Sequence, residues 1–352
     1  MVVLGHNQLA WLAGGVPFRV IFSFHMPLFF VLAGVFMNTS EPLHEYARSR
    51  VQSLLKPYFV VLLFLGLAKL IYGVLSGRLS VDHVGYFAGV LLATGSTIVW
   101  EPMWFMPHLF LAGLVALFSL KLATPFGHWA VAGVASGLYA LGYASLGQLN
   151  MPSAWLSAYA RLIGPTGLPW SIDLIPMTAA FILIGKIFSN RLLQIKWRPL
   201  LFLMVGGVFV VCHVFFDVSI DLNRRQFGSL AIASTQAAAG IYICLSVSEL
   251  LERHQGLSRT LRAVGMASLF IMIFHTFFQF RAIELMNRLG AGPIPAYLGG
   301  WLAGVGLPIG IWALAKKFRW TRALFFAPRA RGAPGSESGG QRGHVCVHTT
   351  RH

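Results

Sequence analysis

Five histidines, His6, His25, His108, His213 and His275, lie in or at the ends of apolar segments of a 352-residue chain. An imidazole ionises near neutral pH, which suits it to proton transfer. Ionisable groups inside a bilayer are costly, so each one there is a candidate for chemistry. The acidic residues nearest the apolar runs, Asp173, Asp217 and Asp221, all fall at their ends. That distribution argues against a proton pump or a carboxylate dyad. No two of the five histidines stand at i, i+4 on one helix, so no metal centre is read from them. A buried histidine often does no more than donate to a backbone carbonyl, and that bland reading is favoured for His108, His213 and His275. His6 and His25 are the catalytic candidates, with His6 as general base and His25 as a neighbour that orients it.

A second grouping is basic. Ala47-Arg48-Ser49-Arg50 precedes Leu54-Leu55-Lys56-Pro57-Tyr58. Two arginines can grip phosphate with forked donors, and a lysine adds a point charge. Arg48, Arg50 and Lys56 therefore suit the phosphates of a cofactor, the competing reading being charge that only sets topology. Residues at i and i+2 diverge on a helix, so both arginines can meet one ligand only where the backbone is irregular. Soluble hydrolase signatures are missing: no GxSxG elbow occurs, and Asp217 follows His213 at the fourth place where an HxxxxD pattern needs the fifth.

The elements that must hold these groups are membrane helices. Hydrophobic residues make up 56% of the chain and charged ones 11%, against about 25% charged in an ordinary soluble domain; the mean hydropathy is +0.69. A soluble globule is excluded, and the fold class expected is an all-α polytopic membrane protein. Apolar runs at about 20–37, 56–76, 104–121, 129–147, 172–188, 199–216, 229–250, 265–284 and 297–316 read as spanning helices. Met1 to Ala13 reads as a further, truncated helix carrying His6 and ending at Gly14-Gly15. Val84 to Trp100 is apolar but broken by Gly85, Gly89 and Gly95.

Short loops rich in Lys and Arg stay in the cytoplasm. Arg48, Arg50 and Lys56 mark one such loop, and Arg191, Lys196 and Arg198 another. An even number of crossings must separate them, which makes Val84 to Trp100 re-entrant or interfacial and gives about ten helices with both termini cytoplasmic. The formal net charge of +16 thus reads as topology and attraction to anionic membrane lipids, and no nucleic-acid partner is expected. A membrane domain over 1–320 precedes a basic tail over 321–352, read as disordered because from Arg329 it is mostly Gly, Ser, Arg and Pro. Its His344, Cys346, His348 and His352 match no zinc spacing, and Cys212, Cys244 and Cys346 imply no disulfide framework.

Leu4-Gly5-His6, the Phe24-to-Gly34 run FHMPLFFVLAG, Arg48-Ser49-Arg50 leading to Lys56-Pro57-Tyr58, Trp104-Phe105-Met106-Pro107 and Ser268 to His275 together resemble the acyltransferase-3 family of bacterial integral membrane acyltransferases. The likeness is to its branch of fucose acetylases, Nod-factor acetyltransferases and related O-acetyltransferases. It covers about residues 2–320 and rests on the order and spacing of the motifs. The resemblance implies a multi-pass protein of the bacterial inner membrane. It implies transfer of an acyl group, usually acetyl, from acetyl-CoA as co-substrate to a hydroxyl of a surface polysaccharide or lipid-linked glycan, with no resident cofactor. It maps the family's essential histidine onto His6 and its arginine pair onto Arg48 and Arg50, and His25 matches the family's motif as well. Two rivals stand beside this reading. One is a glycan or lipid-precursor transporter or flippase, against which the lack of inverted repeats counts. The other is a different membrane acyltransferase acting on a protein or lipid.

Overall fold

The computed structural model describes residues 2–11, 15–149, 167–216 and 220–326. Asp217 and the chain beyond 326, with His344, Cys346, His348 and His352, lie outside them. In chain order the helices are α1 (Val2–Gly5), α2 (Val16–Phe22), α3 (His25–Val35), α4 (Leu43–Arg50), α5 (Lys56–Leu75), α6 (Val81–Leu92), α7 (Phe105–Ala123), α8 (His128–Leu149) and α9 (Ile175–Ile187). They continue as α10 (Ser189–Leu193), α11 (Pro199–Phe215), α12 (Leu230–Glu252), α13 (Gln255–Met266), α14 (Ser268–Arg288), α15 (Pro293–Ala315) and α16 (Arg319–Phe325). A two-stranded antiparallel hairpin, β1 (Ile220–Asp221) with β2 (Gln226–Phe227), interrupts the helical order.

Eight helical stretches among the described residues are long and apolar enough to cross a membrane. The sequence suggested about ten crossings, and the difference has two sources. The 17-residue α11 spans about 26 Å at 1.5 Å per residue, just under a hydrocarbon core of about 30 Å. The N-terminal segment is the real departure: it makes one α-turn at Val2–Gly5 and a 3-10 turn at Gln8–Trp11 in place of a spanning helix. Asn7 is the cause. Its side-chain oxygen accepts the Leu9 N–H at 2.9 Å, and its amide donates to Gln279 Oε1 at 2.6 Å and to the Tyr297 carbonyl at 3.1 Å. A side chain that bonds backbone locally competes with helix propagation. The 12-residue α6 reaches about 18 Å and is too short to cross. It is clamped to α5 by the Tyr58 hydroxyl donating to the Val90 carbonyl at 2.7 Å and the Tyr86 hydroxyl donating to the Leu62 carbonyl at 2.9 Å.

The main core lies where α3, α7, α8 and α9 meet, around Phe30, Leu117, Met177 and Ile182, all fully buried. The α3–α9 seam needs two glycines. A Cβ on Gly34 would run into the carbonyl oxygen of Ile182, and one on Gly185 into that of Val31, so backbone lies against backbone, as small residues permit between membrane helices. A smaller apolar cluster joins Val3 to Ala267 and Ile271, seating the N-terminal turn against α14 and α15. Helix α16 straddles the boundary drawn at 320 and packs against α5, and its Phe325 ring lies 5.3 Å from that of Phe270 on α14.

Candidate functional site

Pro27 decides where His25 stands. A proline ring collides with the carbonyl four residues earlier, here that of Ser23, and it lacks an N–H. The helix therefore breaks at Ser23-Phe24 and restarts at His25, with Leu28 N–H bonding the Phe24 carbonyl at 2.9 Å. At that break His25 Nδ1 stands 2.9 Å from the Ile21 carbonyl. A carbonyl only accepts, so Nδ1 carries the proton, and Nε2 of the neutral ring is a lone pair. Upstream, Gly15 in the left-handed region and Pro17 in the first turn start α2. Trp11, Phe18 and Phe22 then stack at 4.3 and 3.9 Å, and Phe22 meets the His25 ring edge-on at 4.5 Å. This aromatic column also touches His6, whose ring centre is 6.2 Å from that of Phe22.

His6 and His25 line one cavity of about 180 Å³. Its other walls are contributed by Glu101 and Trp104 ahead of α7 and by Asp221, Asn223 and Arg224 of the hairpin. Asn223 Nδ2 donates to Glu101 Oε1 at 2.6 Å, joining two of these walls. Asp221 Oδ1 accepts the Arg224 N–H at 3.0 Å, and the Arg224 guanidinium is 3.6 Å from the other carboxylate oxygen. Burial pushes the Asp221 carboxyl above its ordinary range, and the Arg224 N–H and guanidinium work against that rise.

Behind the wall, Arg225 and Asp173 form a buried ion pair. Arg225 Nε donates to Oδ2 at 2.8 Å and Nη2 to Oδ1 at 3.2 Å. Further bonds to Ser171 Oγ at 3.1 Å and the Asn223 carbonyl at 2.7 Å satisfy the guanidinium. Arg225 holds a left-handed φ of 56° to do so. The Leu168 N–H donates to Asp173 Oδ1 at 2.9 Å. A buried pair with its remaining valences filled fixes the loop that bears it.

His275, read from sequence as a core histidine, stands beside His6 with ring centres 5.3 Å apart. His108 is held by Thr178 Oγ1 at 3.0 Å and lies 3.3 Å from the Trp170 carbonyl; His213 bonds the Phe209 carbonyl at 2.7 Å. Neither borders the cavity. His275 likewise bonds backbone carbonyls, those of Ile271 and Met272, and does not line the cavity; what sets it apart from His108 and His213 is the His6 ring beside it. Glu101, Asn223 and Arg224 carried no signal in the sequence, since they sit in short polar connections. Trp100 links the segment before Glu101 to the helix of His275: its indole N–H donates to the Ile273 carbonyl, and its ring stacks on Phe277.

The basic trio is not brought to this cavity. Arg48 is exposed on α4. The Arg50 guanidinium lies over the Tyr46 ring at 4.9 Å, and its buried Nε has no hydrogen-bond partner among the described residues. Both arginines belong to regular α-helix, and the irregularity, a π-helical turn over Val51–Leu55, follows them. Residues two apart on a regular helix point to different faces, so the pair does not form a single fork. Lys56 Nζ donates to the carbonyls of Ala323 and Phe326 at 2.8 and 3.3 Å, capping α16.

No curated protein and no solved structure matches the chain. The model of the acyltransferase-3 family, described as an acyltransferase domain, matches residues 1–314. The eight apolar helices able to cross a membrane and that match, which takes in His6, His25 and His275, lead to one assignment: this chain belongs to the acyltransferase-3 family and is a multi-pass membrane acyltransferase.

Proposed function

We propose that the enzyme moves an acyl group, acetyl in the simplest case, from acyl-CoA to a hydroxyl of a cell-surface or lipid-linked glycan in the bacterial inner membrane, with both chain ends in the cytoplasm. His6 takes the proton of the acceptor hydroxyl. The oxygen attacks the thioester carbonyl, the C–S bond breaks, and the CoA thiolate receives the proton from His6. An acyl-histidine relay is the covalent variant of the same site. His25, fixed by Ile21, presents its Nε2 lone pair to the same space and orients the reacting hydroxyl. Arg48 and Arg50, on separate faces, hold separate phosphates of CoA, and Lys56 adds its remaining N–H.

The observation that carries this reading is the shared cavity: His6 and His25 border one space whose far wall holds carboxylates, an amide and a tryptophan. These are groups that bond and stack on a polyhydroxylated ring. Loss of a general base costs about 10² to 10⁴ in rate. Mass spectrometry of surface glycans from a deletion strain complemented with His6→Ala at wild-type abundance should show the acyl mass gone from an intact polymer. Full acylation by that variant, or loss of the whole polymer on deletion, overturns the proposal.

A further inference from the structure

His275 sits on α14 with both sides of its ring accounted for in different ways. Nδ1 lies 2.8 Å from the Ile271 carbonyl and 3.0 Å from that of Met272. Both partners only accept, so Nδ1 carries the hydrogen and Nε2 of the neutral ring is a lone pair. That Nε2 is buried and has no hydrogen-bond partner among the described residues, on a side chain with no exposure. An orphaned buried acceptor is costly and calls for an explanation. The nearest imidazole is His6, at 5.3 Å between ring centres, a separation at which ring nitrogens turned toward each other come within hydrogen-bond range.

The backbone that carries His6 is locked in this position one residue on. Asn7 donates to Gln279 Oε1 at 2.6 Å, and Gln279 is four residues after His275, one helical turn along the same face of α14. His6 with His275 and Asn7 with Gln279 thus form two successive rungs between the N-terminal turn and α14.

Resting on the reading of His6 as base, we infer that His275 is a positioning residue: a turn of the His6 ring brings its N–H to the free Nε2 of His275, which fixes the tautomer of His6 and leaves the other nitrogen as the lone pair facing the cavity. A neutral imidazole has one N–H and one lone pair, and a base must show the lone pair to its substrate. Here a neutral imidazole does the orienting that a carboxylate does in a hydrolase triad. No carboxylate is then needed at that ring edge, and the pair stays uncharged until the hydroxyl proton arrives.

The test uses membranes of a strain expressing the full chain and follows radiolabelled acetyl from acetyl-CoA into membrane-bound acceptor. His275→Ala is expected to lose on the order of 10²-fold in turnover, the scale of a misoriented catalytic group, with the KM for acetyl-CoA unchanged. Added imidazole is expected to restore turnover, whereas pyrrole, of the same shape but with no acceptor nitrogen, is not. His275→Gln, which keeps an acceptor, is expected to retain most activity, and His275→Phe, which keeps bulk alone, to behave like the alanine variant. Equal rescue by pyrrole, or wild-type turnover in His275→Phe, would overturn the inference and leave a packing role. If His6→Ala also transfers acetyl at the wild-type rate, the failure lies in the functional reading itself.

Discussion

His6 and His25 line one cavity and a third histidine from a distant part of the chain, His275, stands against His6, whereas three basic residues within nine positions of one another do not converge at all. The difference comes from what each type of side chain requires. A buried imidazole must find partners, and backbone carbonyls at Ile21 and Ile271 fix His25 and His275 in single orientations. Long cationic side chains at a helix surface satisfy themselves locally: Arg50 on Tyr46, Lys56 on the end of α16, Arg48 toward the exterior. A preorganised cavity and a set of locally satisfied cations are thus built from the same backbone.

The strongest way to break the histidine cavity without touching a histidine is Arg225→Met. It leaves the Asp173 carboxylate buried and unpaired and should cost about 3–5 kcal/mol, read as a lowered midpoint of thermal unfolding in detergent. An unchanged midpoint would mean that the ion pair does not hold the hairpin wall. Next in size is Gly34→Ala, whose methyl meets the Ile182 carbonyl oxygen and forces α3 off α9. Overpacking of that kind costs about 1–3 kcal/mol, and the same melting measurement should show it, with turnover falling because α3 carries His25.

The basic region can be probed more gently. Arg48→Ala and Arg50→Ala should each raise the KM for acetyl-CoA about tenfold, the equivalent of about 1.4 kcal/mol, while turnover at saturation holds. A fall in saturated turnover instead would tie the arginines to the chemistry and erase the contrast between the two regions. The smallest effect belongs to Lys56→Ala. Loss of the cap on α16 should cost about 0.3–1 kcal/mol and appear as faster amide exchange over 319–326. With one N–H left for a CoA phosphate, the variant should also raise the KM for acetyl-CoA, by less than the arginine variants do; an unchanged KM would leave Lys56 a helix cap alone.

The positions of most membrane helices were open to reading from hydropathy, because a long apolar run has few other fates. His6 and His25 stood out for the same reason, as ionisable groups set in apolar surroundings. The divergence of Arg48 and Arg50 followed from their spacing alone. What escaped depends on distant partners. The N-terminal segment is apolar enough to suggest a helix, yet Asn7 breaks it by bonding to Gln279 and Tyr297, 272 and 290 positions away. His275 looked like any core histidine because nothing near it in the chain announces His6. Glu101, Asn223 and Arg224 acquire a role only when the hairpin folds over the segment ahead of α7.

The link from Asn7 to Gln279 and Tyr297 also bears on the order in which the protein is made. His6 leaves the ribosome long before α14 and α15, the helices that seat it. Until α14 and α15 are inserted, the nascent chain has no assembled centre. With His6 as the proposed base, a partly synthesised copy in the membrane has no assembled site, and activity waits until α14 and α15 close on the N-terminal turn.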